Sequence, residues 1–101
     1  MSVSMMPNWS NIRGLVRSVR PSPDIAGFSE VELSVENVSP VQGFANLLAD
    51  AQGASLVVLV PTEVAQALGI VSSDVIEACV RRAGLRRAYV HREEISVQHR
   101  R

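Results

Sequence analysis

The stretch VRRAGLRRAYVHRE, residues 80–93, sets five arginines, a tyrosine and a histidine within fourteen positions. A guanidinium is a planar, permanently charged fork of donors that grips phosphate or carboxylate through paired hydrogen bonds. An aromatic ring among such groups offers a face for a nucleobase, worth about 1–3 kcal/mol per stacked base. Arg81, Arg82, Arg86 and Arg87 are therefore candidate phosphate contacts and Tyr89 a candidate stacking platform, with His91 and Arg92 extending the track. The first reading is a nucleic-acid-binding surface for single-stranded DNA or RNA.

A second cluster carries the opposite sign. In FSEVELSVENV, residues 28–38, Glu30, Glu32 and Glu36 alternate with Val31, Leu33 and Val35. Carboxylates on such a face would bind a partner: a protein, or the arginines of a second copy in a head-to-tail homo-oligomer. The chain as a whole is segregated in the same way. Residues 1–20 carry three arginines and no acid, residues 21–78 eight acids and no base, and residues 79–101 seven arginines against Glu93 and Glu94. The net charge of zero conceals this layout. Lysine is absent, and because the absence is chain-wide, coding bias in a GC-rich genome explains it better than selection for guanidinium.

Catalytic chemistry has no foothold. The sequence contains no Gly-x-Ser-x-Gly, no P-loop and no Gly-x-Gly-x-x-Gly, so neither an enzyme nor a cofactor is expected. His91 and His99 stand on a basic C-terminal segment and read as solvated rather than metal-ligating. Cys79, the single cysteine, excludes an internal disulfide and reads as a buried, inert thiol.

A chain of 101 residues, 47% apolar and 20% charged, suits one globular domain. No apolar run approaches the roughly 20 residues that span a bilayer. MSVSMMPNWS lacks the basic start and apolar centre of a signal peptide, so a soluble, cytoplasmic protein is expected. Residues 1–10 read as a flexible arm, 11–97 as the folded domain and 98–101 as a basic tail.

Period two at Val31, Leu33 and Val35 predicts a half-buried antiparallel strand. IRGLVRSVR, residues 12–20, is a second strand in which Gly14 marks a bend or bulge. SPVQGFANLLADAQG, residues 39–53, is a connector with a helical turn, whose Phe44 is expected to pack over a barrel end. ASLVVLVP (54–61) predicts a strand covered on both sides. TEVAQALG (62–69) predicts a short helix, N-capped by Thr62 and closed by Gly69. VIEACVRR (75–82) and RRAYVH (86–91) form a hairpin, followed by a short strand at Ile95–Val97.

The resulting order, β-β-β-α-β-β, resembles the OB-fold, a mainly β, five-stranded antiparallel Greek-key barrel with one short helix between strands 3 and 4. A small SH3-like barrel is the main competing architecture. The resemblance implies that strand 1 pairs with strand 4 and strand 4 with strand 5, which would gather the arginines on one face and leave the acids on another. It also implies an oligonucleotide site framed by the loops between strands 1 and 2 and strands 4 and 5. A narrower likeness rests on Asn11, Gly14, Val16, Leu68 and Gly69, which are similar to positions in the molybdate-binding (MOP or TOBE-type) OB domains and imply oxyanion binding as a third reading.

Overall fold

Period-two alternation sets one side of each strand against a common core, and five strands close around it. The computed structural model describes residues 8–99. In order, the elements are β1 (Ser10–Pro21), β2 (Phe28–Pro40), a 3-10 turn (Ala49–Ala51), β3 (Ser55–Pro61), helix α1 (Thr62–Leu68), β4 (Val75–Gly84) and β5 (Arg87–Gln98). Most of the expected arm, the last two residues of the expected tail and the Arg92 side chain lie outside the described residues.

The strands form a closed ring, β1-β2-β3-β5-β4. One junction corrects the wholly antiparallel barrel expected from the sequence: β3 and β5 run parallel, pairing Val57 with Arg87, Val58 with Ala88 and Leu59 with Tyr89. Directions can alternate all the way round a ring only if the number of strands is even, so a closed ring of five needs at least one parallel pair. It falls here because α1 carries the chain from β3 to β4, beside β1, and β5 then returns into the gap next to β3.

Inward positions supply the core: Ile12 and Val16 from β1, Val31, Leu33 and Val35 from β2, and Leu56, Val58 and Val60 from β3. Ile76, Ala78 and Val80 of β4 and Ala88 and Val90 of β5 complete it. Leu48 and Ala51 of the connector, Ala65 of α1 and Ile70 beyond it join the same cluster. Burying a large aliphatic side chain in such a cluster contributes about 1.5–3 kcal/mol. Gly14 fits a tight place. A Cβ there would lie 3.0 Å from the Ser34 carbonyl oxygen and 3.2 Å from the Leu33 Cβ, next to the register shift between Arg13 and Gly14.

The helix starts differently from expectation. Pro61, not Thr62, occupies the N-cap and makes no side-chain cap; Thr62 is the first helical residue. Its hydroxyl is engaged elsewhere, 3.0 Å from the Ser29 hydroxyl. At the other end Gly69 adopts the left-handed conformation (φ 63°), where a side chain would be strained, and its N–H bonds back into the helix. The short strand expected at Ile95–Val97 is a continuation of β5, and β1 begins at Ser10 with Asn8 already buried.

Candidate functional site

Register carries one line of outward positions across all five strands: Arg20 of β1, Glu30 of β2, Leu59 of β3, Tyr89 of β5 and Arg81 of β4. Extending the Ser10–Val80 pairing of β1 with β4 by one step brings Trp9 level with Arg81. The line thus comes back to the first strand about eleven residues from where it left it, the stagger that accompanies closure of a tilted sheet.

Around Tyr89 this line becomes a chemical surface. The Arg81 guanidinium lies 6.0 Å from the centre of the Tyr89 ring, at the reach of a cation–π contact. Phe28 meets Tyr89 edge-to-face at 5.9 Å, and Trp9 meets His91 in the same manner at 5.3 Å. Trp9, Phe28 and Tyr89 are half-buried; Arg81 and His91 are exposed. Leu59, outward yet buried, is flanked in register by Glu30 and Tyr89. Edge-to-face contact fixes the orientation of a ring without covering both of its faces.

The remaining sequence-selected arginines go elsewhere. Arg82 turns to the β2–β3 connector, donating to the carbonyl oxygens of Leu47 (2.7 Å), Gly84 (3.0 Å) and Leu85 (2.7 Å) and facing Asp50 at 3.3 Å. Its own backbone N–H donates to the Asn8 side chain. Arg87 pairs with Asp24 and Glu30. Arg86 is exposed and lines a separate cleft beside the connector.

Placement of the acids changes the electrostatics. Glu30 is not a surface group: it is 3% exposed, held by Arg20 at 2.9 Å and Arg87 at 3.1 Å, with the Ser22 hydroxyl nearby. Glu36 and Glu77 both pair with Arg13, because β1 lies between β2 and β4. Glu32 is exposed and without an ion pair among the described residues. Several charges kept apart along the chain are thus paired in space, where opposed acidic and basic faces were expected.

Around Asn11, Arg13 and Cys79 a cleft of about 490 Å³ opens, with Glu77 and Glu94 in its wall. An oxyanion there would meet two carboxylates and a guanidinium already paired with one of them. Burial first, then a hydrogen bond to Glu94 and the charge of that carboxylate, push the Cys79 thiol up to about 11. At neutral pH it stays protonated, a poor nucleophile and a poor metal ligand.

Trp9 and Phe28 are the site members that residue selection by charge passed over. Parity would have found them: Phe28 shares alternation with Glu30 and Glu32, opposite Val31 and Leu33, and Trp9 shares it with Asn11 and Arg13, opposite Ile12. Fold and site together define a small closed β-barrel with an aromatic and guanidinium outer face. Comparison with models of known protein families finds no match, and comparison with curated proteins finds no relative.

Proposed function

We propose that the protein is a non-catalytic binding module of the OB type that holds single-stranded nucleic acid on the outer face of β4 and β5. Tyr89 and Trp9 stack bases, with Phe28 bracing Tyr89, and Arg81 meets backbone phosphate beside His91. One observation carries this reading: the Arg81 guanidinium, which makes no ion pair among the described residues, lies over the Tyr89 ring, with Phe28 in ring contact with Tyr89 and Trp9 with the neighbouring His91. Trp9 and Tyr89 are two strand spacings apart, roughly 10 Å, with Arg81 between them. Repulsion from the acidic strand is reduced because Glu30 is neutralised by Arg20 and Arg87. Arg82 and Arg87, engaged within the fold, take no part in the contact.

Titrating a labelled single-stranded oligonucleotide at several salt concentrations tests the reading. The logarithm of the affinity falls with the logarithm of salt by a slope of roughly −0.7 per neutralised phosphate. Arg81→Glu reduces that slope and weakens binding. Tyr89→Ala weakens it about 5- to 150-fold, the loss of one stacked base. Indifference of binding to both substitutions, or absence of salt-dependent binding, overturns the assignment.

A further inference from the structure

The tip of the β4–β5 hairpin presents an arrangement that neither folding nor the nucleic-acid face requires. Leu85 stands at the apex of the turn, 82% exposed. Leu47 of the connector is exposed as well, and the two are held together by one guanidinium, since Arg82 donates to both of their carbonyl oxygens at 2.7 Å. Two-residue hairpin turns favour glycine, asparagine and aspartate. A leucine there, fixed rather than free to fold back, keeps apolar surface in water at a cost.

Leu85 forms one wall of a cleft of about 230 Å³ that is also lined by Leu48, Ala51, Leu56, Asp50 and Arg86. Asp50 is 75% exposed, touched from one side by Arg82. Arg86 is exposed and makes no ion pair among the described residues. A projection, a recess, a carboxylate and a cation therefore share one patch. That combination is self-complementary. Under a two-fold axis each feature meets its counterpart on the other copy, whereas a patch of one shape or one sign would not.

We infer that this patch joins two copies of the chain in a symmetric dimer. Leu85 of each copy enters the cleft beside Leu48 and Leu56 of the other, and Arg86 of each pairs with Asp50 of the other. Arg82 takes no direct part across the axis; it holds the turn and the connector in the arrangement that docks, so little ordering cost remains on association. The inference is independent of the nucleic-acid reading, because the patch contains neither Tyr89 nor Arg81.

Light scattering of the full chain over a range of micromolar to millimolar concentrations provides the test. Mass rises from one subunit to two as concentration increases. Leu85→Asp, at a position too exposed to matter for folding, raises the dimer dissociation constant roughly a hundredfold, because the change enters the interface twice. Arg86→Ala and Asp50→Ala each weaken association, and the double variant weakens it little further than either alone, a coupling that a non-specific greasy contact does not give. A mass of one subunit throughout overturns the proposal, as does association unaffected by Leu85→Asp or strictly additive effects of Arg86→Ala and Asp50→Ala. Thermal melts and circular dichroism of each variant confirm that it is folded before its mass is read.

Discussion

Arg82 donates to three backbone carbonyls and faces Asp50, whereas Arg81, one position earlier, lies over the face of Tyr89 and makes no ion pair among the described residues. Arg82→Ala strands those acceptors near the surface, and the expected loss is about 2 kcal/mol in urea denaturation, because hydrogen bonds from a charged donor contribute about 1.5–3 kcal/mol each and water replaces part of them. Lysine does not restore it, since a single ammonium cannot reproduce a planar fork. Oligonucleotide affinity of the folded variant stays unchanged, in contrast to Arg81→Glu. Cys79 gives a second residue-level expectation. Its thiol, raised from 9.0 to about 11, reacts with an alkylating reagent at pH 7.5 about a hundredfold more slowly than a free cysteine. Glu94→Gln removes the nearby negative charge and accelerates the reaction. The folded state favours the protonated thiol, so this group's stabilising share is complete below pH 9 and fades as pH climbs toward 11. Residue types alone pointed to Tyr89, Arg81 and His91 but not to which arginines share their face. Adjacent residues of a strand point to opposite sides, so Arg81 and Arg82 diverge.

At the level of elements, β1 is paired along both edges, with β2 along its whole length and with β4 from Ser10 to Leu15. Gly14 sits where it crowds β2, so Gly14→Val forces strands apart and lowers stability by about 1–3 kcal/mol, read from the urea midpoint. The bend at this glycine was legible because a glycine inside a strand pattern marks a bulge or a close approach of backbone, and here it marks both. The strands themselves were legible from alternation, and β3 from its unbroken apolar run. Helix α1 was legible in extent but not in its cap: Ser29, 33 residues away in sequence, engages the hydroxyl that a local reading gives to the cap. Phe44 illustrates the same limit. Its size predicted packing over the barrel end, yet it is exposed, while Leu48 and Ala51 fill the core from the same connector.

For the whole molecule, strand count and order could be read from the chain, and the mixed sheet follows once closure of five strands is accepted. What could not be read was the electrostatic outcome. A ring of five leaves no strand more than two places from any other, so the acidic middle of the chain cannot avoid the basic ends. Arg13 reaches β2 and β4 at once, and Arg87 reaches Glu30 past β3. The parallel seam between β3 and β5 also sets when the ring can close, since it cannot form until β5 is available. Because β5 alone bridges β3 to β4, a nascent chain that has emitted everything up to Gly84 still carries unzipped hydrogen-bonding edges, vulnerable to adhesion with neighbouring chains. Emergence of β5 seals both gaps together, so the barrel closes in a single step that waits on that strand.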